Sequence, residues 1–303
     1  VSTSKYIDPR SLEALGSTKL RARSVVEGII NGIHRNPHRG SSVEFAEYKE
    51  YAPGDEIRHI DWRAYARMDR YYVKQFEDET NVRGYLLLDT SGSMDFAWED
   101  APKKSLYAAT LVAALAWVMQ SQGDAPGVVT FDEEVHHWLP PSSKRTQIED
   151  ICRVLEESPA KGGTSIEQAF ARIAEQVHSR SIVVLVSDLL DTSEEMLTLA
   201  RVLRRKGMEV VVFHVMDRAE WELPYENMTL FEGLEGEESL LVEPDDIREA
   251  FQRKMREHVE GIEELCQKSD IEYYRTFTDQ PIETVILDLL QERQRTSQRG
   301  GRR

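Results

Sequence analysis

Apolar positions along the chain repeat with two different periods, and the order in which those periods alternate predicts the fold. Residues 11–33 put Leu12, Leu15, Val25, Val26, Ile29, Ile30 and Ile33 near helical spacing, with Arg21 and Arg23 on the polar side. A looser alternation over 43–51 and the run 71–76 read as two short strands, with a Pro53-Gly54-Asp55 turn between them. From Val82 onward the pattern becomes strand, helix, strand, helix. Apolar runs at 85–88, 127–131, 182–186, 209–216 and 271–277 read as strands, and helical spacing recurs around 103–121, 145–157, 166–177, 193–206, 247–266 and 281–292. Val135 to Leu139 is expected to return antiparallel as an edge strand. Residues 217–244 interrupt the alternation with a small hairpin around Glu235-Gly236-Glu237. Continuous apolar strands separated by helices belong to parallel sheets covered on both faces. The expected fold is therefore α/β, a doubly wound, mostly parallel sheet of the Rossmann type. Three segments are expected: an extension over 1–81 packed on the main domain, the main domain over 82–292, and a disordered basic tail over 293–303.

Composition narrows the function classes. Lys+Arg number 38 against 54 Asp+Glu, a formal charge of -16. That balance disfavours broad nucleic-acid or anionic-membrane binding and favours cations or basic partners. Cys152 and Cys266 both lie in helical patterns among apolar neighbours, which predicts buried thiols in a reducing compartment. The stretch from Leu106 to Met119 is shorter than the roughly 20 residues a membrane span needs, and predicts a helix buried on most of its faces. The first residues open no secretory signal, and the expected location is the cytoplasm.

The chemistry gathers at strand ends. Asp89-Thr90-Ser91-Gly92-Ser93 follows the strand 85–88, and residues two apart in an extended segment point the same way. One carboxylate and two hydroxyls can then meet at a point, a set suited to Mg²⁺ or Mn²⁺ before Zn²⁺. In an open doubly wound sheet, ligands bind outside the carboxyl ends of the strands where strand order reverses. The strand 182–186 ends at Ser187-Asp188, so a reversal beside it makes Asp89 and Asp188 neighbours. Thr164, after Gly162-Gly163, opens the helix that feeds that strand and can reach the same edge. The candidate metal residues are Asp89, Ser91, Ser93, Thr164 and Asp188. Enzyme signatures are missing: Ser91 stands where a D-x-D phosphotransferase has its second aspartate, no G-x-S-x-G surrounds either serine, and the Lys161 loop is no Walker A. The second reading is a Mg²⁺-dependent hydrolase acting through metal-bound water.

These five residues, in this order, resemble the metal-ion-dependent adhesion site of a von Willebrand factor A-type domain, over roughly residues 82–292. The resemblance implies that the hydroxyls bind the metal directly and the aspartates directly or through water. Upstream, Arg39 to Tyr48 and Tyr51-Ala52-Pro53-Gly54-Asp55-Glu56-Ile57-Arg58-His59-Ile60-Asp61-Trp62 resemble the signature of a bacterial family of unknown function that carries an A-type domain. Ser165 stands where members often have Asp. That resemblance implies a non-enzymatic, metal-dependent protein-interaction module. Its partner would offer an acidic side chain, and would be a MoxR-type AAA+ ATPase or a client of one. The 53–67 block has two readings. Asp55, Arg58, Asp61 and Arg63 can pair among themselves to fix a turn, or Arg58, Asp61 and Trp62 can form a docking surface for the partner.

Overall fold

The structure, a computed structural model, describes residues 8–34, 48–50, 72–74, 82–163, 171–175, 181–190, 194–234 and 239–300. The chain forms two compact units, one of residues 1–32 with 82–303 and a smaller one of residues 33–81. Within the smaller unit, β1 (Tyr48–Glu50) and β2 (Tyr72–Lys74) pair antiparallel. Asp55, Arg58, Asp61, Trp62 and Arg63 lie outside the described residues.

The larger unit is built on six strands: β3 (Arg83–Asp89), β4 (Ala125–Phe131), β5 (Val135–Leu139), β6 (Ser181–Ser187), β7 (Glu209–Met216) and β10 (Glu272–Phe277). Their order across the sheet is β10-β7-β6-β3-β4-β5, all parallel except β5, which returns along β4 at the edge. Between β7 and β10, β8 (Thr229–Phe231) and β9 (Leu240–Val242) make the separate hairpin expected there. The chain leaves β3 toward β4, then crosses back to lay β6 on the other side of β3. This is the reversal of strand order that the sequence called for.

Alternation along each strand divides the sheet residues between two cores. Leu86, Leu88, Val184, Val186 and Val211 face one side, where the helices Lys104–Ser121, Gln147–Glu156 and Ile282–Gly300 cover them. Tyr85, Leu87, Val183, Leu185 and Val212 face the other, against the helices Glu194–Arg205 and Pro244–Lys268. Apolar side chains on both faces explain why these strands read as unbroken hydrophobic runs. The Lys104–Ser121 helix is buried nearly all round, with Tyr107, Leu111, Val112, Ala113 and Ala116 fully enclosed.

The structure revises two boundaries. The expected 1–81 extension divides, because Leu12, Ala22, Val25, Val26 and Ile29 enter the same core as Leu86 and Leu88. Residues 22, 25, 26 and 29 form one stripe of the Thr18–His34 helix, and burying that stripe draws the helix into the larger unit. Arg21, expected on the polar side, is buried and bonds the Gly16 carbonyl and the Thr18 hydroxyl. At the other end the tail is not disordered from residue 293: the last helix runs on to Gly300. Gln, Glu and Arg are strong helix formers, and here they prolong a helix already anchored by Ile282, Val285, Ile286 and Leu289.

Candidate functional site at the strand-order reversal

Asp89 ends β3 and is 1% exposed. Its Oδ1 accepts the Ser91 N–H at 2.9 Å, which folds the loop back on the strand, and its Oδ2 accepts the Ser187 hydroxyl at 2.5 Å. The Ser91 and Ser93 hydroxyls lie 3.0 Å apart. Thr90 is fixed to β4 by two bonds to the Phe131 carbonyl, from its N–H at 2.7 Å and its hydroxyl at 2.8 Å. Asp188 follows β6 and is 2% exposed. Four of the five predicted residues therefore share one buried edge. The fifth, Thr164, lies outside the described residues, but the loop leading to it is tied to the same place. Lys161 N–H donates to the Thr90 carbonyl at 2.7 Å, and Gly92 N–H to the Gly162 carbonyl at 2.8 Å.

Gly92 is required by the close approach of two backbone carbonyls. A Cβ there would stand 2.3 Å from the Leu234 carbonyl oxygen and 3.2 Å from that of Gly162. Only a residue without a side chain fits between these two carbonyls.

The edge also holds charges that the sequence reading missed. Lys104, the first residue of the buried helix, is fully enclosed and donates to Asp188 Oδ2 at 2.7 Å and to Glu220. A cation in the first turn of a helix opposes the helix dipole; here the two carboxylates outweigh it. Burial pulls the Lys104 ammonium down, but Asp188 and Glu220 more than offset this and raise its pKa above the ordinary lysine value. Glu220 is raised by burial, with Lys104 opposing. Glu220 also accepts the Asp217 N–H through its other oxygen, and Asp217 caps the Ala219 N–H, a reciprocal capping box on the Arg218–Glu222 turn. His214, at the end of β7, is buried and donates to or accepts from the Tyr273 hydroxyl at 2.8 Å. Burial pushes it down to about 3, so the ring is neutral.

Two buried carboxylates at one edge need positive charge. Burial, then repulsion from Asp188, raises Asp89 to about 7, with Ser187 and Ser91 pulling the other way. Lys104 compensates Asp188 and Glu220, and nothing cationic among the described residues bonds to Asp89. No cluster of three or more His, Cys, Asp or Glu side chains stands ready for a metal among the described residues. The oxygens here are chiefly hydroxyls, a set that suits a hard divalent cation rather than zinc. Asp89 already spends both oxygens on hydrogen bonds, to the Ser91 N–H and the Ser187 hydroxyl.

Residues 47–261 match the family described as "Protein of unknown function DUF58". The chain belongs to the DUF58 family. Among curated proteins it is 26% identical over 220 residues to uncharacterized proteins of Mycobacterium tuberculosis and Mycobacterium bovis, covering 72% of this chain and 68% of theirs. Among solved structures, the conserved hypothetical protein BatB from Bacteroides thetaiotaomicron aligns with 18% identity and a TM-score of 0.48. An aerotolerance-related membrane protein from Bacteroides fragilis aligns with 20% identity and the same score. Each alignment covers 70% of this DUF58 chain and 98% of the other. Among the described residues of this DUF58 member, no helix is long and apolar enough to cross a membrane.

Proposed function

We propose that this DUF58 member is a protein-interaction module whose carboxyl edge is a von Willebrand factor A-type metal site. Ser91, Ser93 and Thr164 would hold Mg²⁺ or Mn²⁺ directly, and Asp89 and Asp188 directly or through water. The observation that carries the reading is the meeting of Asp89, Ser91 and Ser93 beside Asp188 where strand order reverses. When bound, the ion would supply an open coordination position for a carboxylate of a partner protein. Neutral hydroxyl donors leave the ion undercompensated, which favours an incoming acid even though the chain carries -16. At that net charge long-range attraction of an acidic partner is poor, so the contact is local.

The resemblance of the 39–62 segment nominates a MoxR-type AAA+ ATPase, or its client, as the partner, and assembly or maturation of client proteins as the task. Cys152 and Cys266, both free and buried, are compatible with a cytoplasmic setting. The test is a pull-down from the native cell on the full chain. EDTA and the Asp89→Ala change should each release the partner. A complex that survives both undiminished would rule the metal out of the contact and shift attention to Arg58, Asp61 and Trp62.

A further inference from the structure

Beside the metal edge lies an apolar cavity of about 260 Å³, walled by Ser93, Phe96, Leu190, Tyr225, Phe231 and Leu234 among others. Three contacts join it to the candidate site. Ser93 belongs to both. Leu190 follows Asp188 by two residues and donates its N–H to Asp188 Oδ1 at 3.4 Å. Glu220, also on the wall, shares Lys104 with Asp188. The far wall is stiff: Tyr225 packs edge-on between Trp98 and Phe231, with centroids 4.4 and 5.1 Å away. At the mouth Leu190 and Leu234 are 45% and 49% exposed. Small-molecule sites run to roughly 300–1,000 Å³, so this cavity suits a single apolar side chain better than a whole cofactor.

We infer that the cavity and the metal edge form one two-point recognition surface for an extended peptide segment of a partner protein. The segment carries an acidic residue for the metal and, within a few residues, a large apolar side chain, Phe or Leu, for the cavity. The inference rests on the metal reading above and adds which acidic segments are accepted. Ser93 is the shared wall, so the two anchors are close together. An extended chain advances about 3.3 Å per residue, which places the apolar residue one to three positions from the acid. Near neutrality of the cavity lining matters too. Apart from Glu232 and the lysine-paired Glu220, the cavity walls are uncharged, so a second acid beside the first would be disfavoured there.

The test uses the full chain in Mg²⁺ and fluorescein-labelled Gly/Ser peptides with a central Asp. Phe is placed one, two or three residues to either side, and binding is read by anisotropy. At one spacing or more, the Asp–Phe peptide should bind roughly tenfold or more tightly than its Asp–Gly and Asn–Phe counterparts, from burial of the ring. EDTA should reduce it to the level of Asn–Phe. Leu234→Asp, at a half-exposed position, should abolish the advantage of Phe over Gly. Equal binding of Asp–Phe and Asp–Gly at every spacing, with release by EDTA, would overturn the cavity and leave the metal reading standing. Asn–Phe binding as well as Asp–Phe and ignoring EDTA would overturn both. If no peptide binds, this inference falls, and the metal reading is judged separately by Mg²⁺-dependent melting.

Discussion

The two edges of the central sheet both carry ion pairs, under opposite conditions. At the amino edge, Arg293 bridges Glu209 and Glu272 at 3.1 Å each, with side chains 31%, 59% and 39% exposed. At the carboxyl edge, Lys104, Asp188 and Glu220 pair with side chains 0%, 3% and 15% exposed. Exposed pairs contribute about 0–1 kcal/mol. Buried ones carry desolvation costs that often match their attraction, and apolar replacements of similar size are often as stable or more so. Packing alone gives no reason to enclose three charges beside Asp89. The burial is accounted for if this edge must hold carboxylates in place for a ligand, as ligand sites at strand-order reversals do.

The contrast can be broken by substitution. Lys104→Met strands the Asp188 and Glu220 carboxylates and should cost about 3–5 kcal/mol in urea denaturation. Adding Glu220→Gln should recover part of that loss. Gly92→Ala forces a methyl against the Leu234 carbonyl and should cost about 1–3 kcal/mol, as overpacking does. Arg293→Met at the exposed edge should cost less than about 1 kcal/mol. A Lys104→Met loss no larger than that of Arg293→Met would remove the distinction between the edges.

Much of the fold was legible because its signals are local or periodic. The strands Ser181–Ser187 and Glu209–Met216 are built around the apolar runs 182–186 and 210–213. The antiparallel edge strand and the β8–β9 hairpin stand where turn residues and alternation put them. Asp89, Ser91 and Ser93 were legible for the same reason, being neighbours in one strand-end loop. Lys104 was not. Its partners stand 84 and 116 residues away, and locally it looks like the solvated first residue of an apolar helix. Glu220 was half legible: with Asp217 it forms the D-x-x-E of a capping box, but its bond to Lys104 depends on tertiary structure. Arg21 went the same way: its two terminal nitrogens bond the Gly16 carbonyl and the Thr18 hydroxyl while its buried Nε has no partner among the described residues, and periodicity records none of this. The last helix shows the reverse error. Charge density over 293–300 read as disorder, while helix propensity and an anchored preceding turn carried the helix on to Gly300.

If the Asp89 loop holds a divalent cation, thermal melting during a Mg²⁺ titration will report it. A ligand at about 100 times its dissociation constant adds roughly 2.7 kcal/mol, on the order of several degrees for a chain of this size. The wild-type chain should gain that shift in millimolar Mg²⁺ and lose it in EDTA, while Asp89→Ala should melt at the same temperature with and without the ion. Equal shifts in the two proteins, or none in the wild type up to tens of millimolar Mg²⁺ (on the order of 100 times a sub-millimolar dissociation constant), would mean that this loop holds no cation.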